Sequence, residues 1–219
     1  VVETCRKGLM LKATDLMKNP SIRQVLQVNM QMAYWWNAYD ESKPIMVFAH
    51  GIALTSNMKG RLDLLSRQFS VFTIENIEEH FHYIFEDENY DEVINFYTDL
   101  LHVFLPENAR VTVFAGVSYG GILSYSLAER WSRETGQKPA VVMADSLIVS
   151  NTELTAAVLT GTLDEFCQRN HIPRQTFNES FVRRLYIVSK IESKGRVLPR
   201  YDGRVVLMNA TVLPPGVAQ

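Results

Sequence analysis

The segment Gly116-Val117-Ser118-Tyr119-Gly120-Gly121 lies between a β-branched apolar run, Val111-Thr112-Val113-Phe114, and a stretch with helical periodicity, Ile122–Ala128. Strand, then G-x-S-x-G, then helix is the order that puts a nucleophilic serine on a strained turn, its hydroxyl projecting above the edge of a sheet. Gly116 and Gly120 allow the strand and helix backbones to approach closely, and Gly121 lets the helix pack on the sheet where a Cβ would hold it off. The helix that follows aims its first N–H groups at the oxygen that becomes negative when a carbonyl is attacked. The competing reading is a glycine-rich turn with an incidental serine.

The rest of the chain supplies a sheet for that turn. Apolar runs at Ile45–Ala49, Phe69–Ile74, Arg110–Ala115, Ala140–Ala144 and Val205–Ala210 read as strands buried on both faces. Helical patterns at Ser56–Arg67, Asn89–Leu105 and Tyr119–Thr135 fall between them. Strands alternating with helices predict an α/β fold, a mostly parallel sheet flanked by helices. The alternation stops at a mostly helical insertion over 151–194, with helices at Glu153–Leu159, Leu163–Arg169 and Asn178–Ile191; this is a candidate lid. Residues 1–30 carry amphipathic helical character with Asn19-Pro20-Ser21 as a cap, and 31–43, with Tyr34-Trp35-Trp36, read as a linker into a domain over 44–219. The acidic run Glu75–Glu92 reads as a solvated loop and helix start.

A chain of 219 residues, 47% hydrophobic, can bury one sizeable core. With a net charge of −2 it has no basic face for nucleic acid, and no apolar run reaches the ~18–20 residues that span a bilayer. Cys5 and Cys167 show no metal-ligand spacing, so no metal site is expected, and so sparse a use of cysteine predicts a reducing, cytoplasmic setting.

Attack by a serine needs a base, a group that orients the base, and donors for the oxyanion. Ser118 is the predicted nucleophile. The predicted oxyanion donors are backbone N–H groups, one from Tyr119 and one from Gly51 or Ile52 after the first strand, although His50-Gly51 also reads as an ordinary strand-to-helix turn. Asp145 ends the strand after the nucleophile strand, where a carboxylate can hold a histidine in its useful tautomer; alternatively Asp145 or Ser146 caps the next helix. His50 belongs to a turn, and His80, His82 and His102 read as structural or solvated. His171 in the insertion is left as the candidate base, its alternative being an exposed loop histidine.

Val113–Leu127, together with Phe48-Ala49-His50-Gly51 and Val142-Met143-Ala144-Asp145-Ser146, resembles the thioesterase domains of nonribosomal peptide synthetases and polyketide synthases. The resemblance implies an α/β-hydrolase fold with a G-x-S-x-G-G elbow, an acid after the strand that follows the nucleophile strand, and a helical lid. It also implies release of an acyl or peptidyl chain from a carrier-protein thioester, by hydrolysis or cyclisation through a serine acyl-enzyme. No cofactor of the domain's own is implied; the substrate rides on the phosphopantetheine of an acyl or peptidyl carrier domain, the expected partner. Thr14–Leu26 resembles the tail of such a carrier domain. The family places its catalytic histidine after the final strand, and no histidine follows Val205 here, so the expectation is a C-terminally truncated and poorly active fragment. The alternatives are a general carboxylesterase or lipase-like serine hydrolase, and a non-catalytic α/β-hydrolase docking module.

Overall fold

β2 (Ile45–Ala49) and β3 (Ser70–Ile74) are buried at every position, as continuous apolar runs with helices on both sides require. The computed structural model describes residues 33–51, 58–75, 90–146, 152–177, 179, 182, 185–186, 188–190 and 198–208. Ile52, His80, His82, segment 1–30, most of the acidic run and positions 191–194 and 209–210 of the sequence assignments lie outside the described residues.

Between β2 and β3 runs α1 (Lys59–Leu65), and from β3 the chain reaches β4 (Val111–Val117) through α2 (Tyr90–Phe104). β4 turns directly into α3 (Tyr119–Thr135), which leads to β5 (Ala140–Ala144). The insertion supplies α4 (Thr152–Thr160) and α5 (Leu163–Arg169) before the chain re-enters the sheet as β6 (Val205–Met208). A strand that the sequence patterning missed, β1 (Ala33–Trp35), precedes them all.

These strands form one six-stranded sheet in the order β1-β3-β2-β4-β5-β6. All pairings are parallel except β1 with β3, where Ala33 faces Ile74 and Trp35 faces Phe72. Within the stretch 31–43, Ala33–Trp35 adds an antiparallel edge strand. Three residues are too few for a period of two to register in sequence. Tertiary contacts fix this strand instead, as Trp35 packs edge-on against Phe72 at 5.1 Å and the Thr73 hydroxyl donates to the Tyr34 carbonyl.

The two faces carry separate cores. Val47, Ala49, Phe72, Phe114 and Val141 point toward α2 and α3, where Tyr97, Leu101, Leu123, Leu127 and Trp131 complete the main cluster. Met46, Phe48, Val71 and Ala115 point the other way and are closed by Leu62 of α1. This alternation is the period-two consequence of the pleat.

β6 departs from expectation. Its apolar run reads as a strand buried on both faces, yet Val205, Val206, Leu207 and Met208 are all exposed. Among the described residues it pairs only with β5, and no described helix covers its faces. The open face continues as an apolar groove of about 560 Å³ between α1 and β6, floored by Ala115, Val117 and Val142 and ending at Asp145.

Candidate active site

The strand order sets where a site can form. From β2 the chain moves outward through α1 to β3, then crosses back through α2 to β4 on the other side of β2. The carboxyl ends of β2 and β4 thus flank the point where the winding reverses, and a crevice opens there in a parallel sheet. Ala49 pairs with Gly116 at that end, so the turns after β2 and after β4 emerge side by side.

Ser118 is the apex of the turn after β4. Its φ of 56° and ψ of −127° lie where L-residues are strained, at a cost of about 1–3 kcal/mol that the surrounding structure must hold. The clamps are visible. Ser118 N–H donates to the Ala144 carbonyl at 2.9 Å, and Gly121 N–H donates back to the Ser118 carbonyl at 3.1 Å. A Cβ on Gly116 would strike the Gly120 carbonyl, and one on Gly120 would strike the Ala49 carbonyl, so strand and helix meet backbone to backbone. The Ser118 side chain is exposed and makes no capping hydrogen bond to its own helix, which leaves its oxygen directed outward.

Two backbone segments face this oxygen's surroundings. Tyr119 opens α3, whose aligned amides place partial positive charge at that end. Gly51 follows β2, and a Cβ there would lie 2.6 Å from the Val117 carbonyl and 3.5 Å from Ser118 Cβ. The backbone after β2 is therefore pressed against the turn that carries Ser118. Ile52 lies outside the described residues.

Asp145 sits at the end of β5, one step past the Val117–Ala144 pair, and its N–H donates to the Met208 carbonyl at 2.7 Å. It is exposed, with a φ of 47°. Ser118 and Asp145 thus occupy adjacent strand ends, both in positive-φ turns that lift their side chains clear of the sheet. The first described helix after Asp145 is α4, from Thr152.

The imidazoles are distributed otherwise. His102 is stacked on Trp131 at 4.8 Å and bonded to Glu134 at 2.8 Å on the outer side of α2, away from the strand ends. His171 is exposed on the turn after α5, with a φ of 55°, and its ring forms no hydrogen bond or ion pair among the described residues. The structure does not bring it into contact with Ser118 or Asp145.

His50 is 2% exposed at the end of β2. Its ring packs edge-on against Phe48 at 5.1 Å, and burial pushes its pKa down from 6.5 to about 4. Because the folded protein resists protonating this ring while the unfolded chain does not, stability is unaffected above pH 6.5 and falls as pH drops from 6.5 to about 4. The expected loss is on the order of 3 kcal/mol, and His50→Phe should flatten that part of the profile. Urea unfolding at pH 7, 5.5 and 4 measures both slopes.

Glu75 is the residue that sequence patterning placed wrongly, at the head of a solvated acidic run. It follows the last residue of β3, accepts a hydrogen bond from the Tyr34 hydroxyl at 2.9 Å, and stands 3.8 Å from His50 Nε2. Its position immediately after a buried parallel strand was the available signal.

Among the described residues no group of histidine, cysteine and carboxylate side chains is arranged to hold a metal ion, and no described helix is long and apolar enough to cross a membrane. Cys167 is a free, buried thiol in α5.

No protein-family model matches the sequence, and no curated protein matches it. Solved structures do match by fold. The chain is similar to the NocB thioesterase domain from the nocardicin cluster, at 15% identity with a TM-score of 0.56, over 81% of this chain and 74% of that one. It is similar to YbtT, a type II thioesterase from the yersiniabactin NRPS/PKS biosynthetic pathway, at 10% identity with a TM-score of 0.60, over 82% and 78%. The Vlm2 thioesterase domain, solved with a bound dodecadepsipeptide, aligns at 14% identity with a TM-score of 0.52, over 85% and 80%. The chain shares the fold of these thioesterase structures.

Proposed function

We propose that this domain is a thioesterase that releases an acyl or peptidyl chain from a carrier-bound thioester through an acyl-serine intermediate. The observation that carries this reading is Ser118: an exposed hydroxyl on a positive-φ turn between β4 and α3, pressed against Gly51 at the point where the sheet's winding reverses. The fold shared with NRPS/PKS thioesterase domains supports the choice of thioester over other acyl groups.

The chemistry follows from the placement. As the base takes its proton, Ser118 Oγ attacks the thioester carbonyl, and the negative charge that develops on the carbonyl oxygen is met by the backbone N–H of Tyr119 and that of Gly51 or Ile52. The C–S bond breaks and the phosphopantetheine thiol departs. A thiolate leaves without much protonation, so the serine, its base and the oxyanion donors carry most of the barrier lowering. Water or an internal nucleophile of the chain then opens the acyl-serine ester, giving the free acid or a ring. Asp145, at the adjacent strand end, is assigned as the carboxylate that orients the base, and His171 of the 151–194 insertion as the candidate base brought over by closure of that lid. The domain needs no cofactor of its own for these steps.

The test is substrate preference. Turnover of an acyl thioester loaded on a holo carrier domain should exceed that of the matching p-nitrophenyl ester in kcat/KM by at least about tenfold, since the carrier adds binding energy that a free ester lacks. Equal or better turnover of the free ester would assign the site to a general carboxylesterase instead.

A further inference from the structure

The proposed oxyanion donor after β2 depends on the backbone at His50-Gly51, and the structure sets a buried imidazole, His50, beside a half-buried carboxylate, Glu75, at that point. We propose that Glu75 and His50 form a positioning pair that sets the orientation of the Gly51 backbone amide against Ser118. The inference rests on the acyl-serine reading above and adds residues that the reading does not require.

The geometry runs in a chain from β1 to the nucleophile. The Tyr34 hydroxyl on β1 donates to Glu75 Oε1 at 2.9 Å, which pins the carboxylate at the end of β3. The Tyr97 hydroxyl on α2 donates to the Glu75 carbonyl at 3.4 Å and pins its backbone. Glu75 Oε1 then stands 3.8 Å from His50 Nε2. That ring is buried, and its Nε2 has no hydrogen-bond partner among the described residues.

A buried ring nitrogen without a partner is rare, and such groups call for a reason. The gap is slightly too long for a hydrogen bond, and catalytic hydrogen bonds in free enzymes are often long until substrate arrives. His50 is also held from its backbone side, where its N–H donates to the Ile74 carbonyl at 3.0 Å, one residue before Glu75. Backbone and side chain of His50 therefore both refer to the end of β3. The next residue is Gly51, already against Val117 and Ser118. Movement of Nε2 toward the fixed carboxylate turns the His50-Gly51 peptide, and a small turn of that peptide decides whether its N–H meets the oxyanion. The ring stays neutral at working pH, so it serves through Nε2–H as a donor and transfers no proton. Glu75 and His50 are positioning residues, not catalytic ones.

The experiment is the rate of Ser118 labelling by an alkyl fluorophosphonate, whose phosphoryl oxygen uses the same donors as a thioester carbonyl. It is measured on the full chain as a maximal rate and a half-saturating concentration. Glu75→Ala and His50→Phe should each lower the maximal rate by about tenfold or more with the half-saturating concentration unchanged, and the double variant should be no slower than either alone. Glu75→Gln, whose amide oxygen can still accept from both Tyr34 and Nε2–H, should recover most of the rate. Tyr34→Phe leaves the pair intact but unpinned, and should slow labelling less than Glu75→Ala does; this variant alters only a half-buried hydroxyl and keeps the test open if the others fold poorly. Wild-type rates in Glu75→Ala or His50→Phe, or single effects that multiply in the double variant, would overturn the pairing while leaving the acyl-serine reading intact. Failure of the wild-type protein to label at Ser118 would overturn both.

Discussion

Ser118→Ala is expected to abolish fluorophosphonate labelling and to lower thioester turnover by at least about 1,000-fold, with the fold retained. The magnitude follows from what the serine alone supplies. Nucleophile, base and orienting acid act as a unit, so removing one member costs nearly as much as removing all, and the residual rate comes from oxyanion stabilisation and binding. Structure should survive because the Ser118 side chain is exposed and caps nothing; the turn is held by the Ser118 N–H to the Ala144 carbonyl and by the Gly121 N–H to the Ser118 carbonyl, both backbone bonds. Alanine at φ 56° inherits the same backbone strain. An unchanged far-UV circular dichroism spectrum with no labelling is the expected pair of results. Labelling that persists in Ser118→Ala would place the nucleophile elsewhere and end the assignment.

Gly120→Ala is expected to lower stability by about 3 kcal/mol or more in urea unfolding. The new Cβ would collide with the Ala49 carbonyl and the His50 carbonyl carbon, all backbone of the central strand and its exit turn. Backbone inside a six-stranded sheet cannot yield as a flexible side chain does. Relief requires separating α3 from β2, which would also pull Gly51 away from Ser118, so the surviving folded protein should label more slowly. Gly60→Ala provides the contrast. Gly60 lies in α1 with open space where its Cβ would go, and the substitution should be neutral or stabilise by up to about 1 kcal/mol. Comparable losses at both positions would mean that the close approach at Gly120 is not what holds the elbow.

The two glycine positions also show how far reading along the chain could reach. Spacing alone put Gly116 and Gly120 on either side of the serine and predicted a tight strand-to-helix contact, because a turn of that kind is a local object whose constraints lie within six residues. The same holds for α3, found over Tyr119–Thr135 as its periodicity indicated, and for Asp145, since a polar residue ending an apolar run marks a strand end. β1 and β6 were another matter. β1 is a strand because β3 is beside it, and three residues of its own carry no pattern that says so. β6 has the composition of a buried strand but lies exposed at the sheet's edge, a fact of neighbours rather than of residues. Glu75 was misjudged for the same reason: amid other acids it looks solvated, and nothing along the chain tells that Tyr34 of β1 and His50 at the end of β2 come to lie beside it.

Residue order therefore decided the local chemistry: a serine that local backbone geometry forces outward, and a carboxylate at the next strand's end. Assembly of the sheet decided everything that depends on long-range pairing. The order β3-β2-β4 brings the turn after residue 49 against the turn after residue 117, and so sets Gly51 beside Ser118. Contacts across tens of residues leave no periodic trace in a chain, because either partner is chemically ordinary until the other is packed against it.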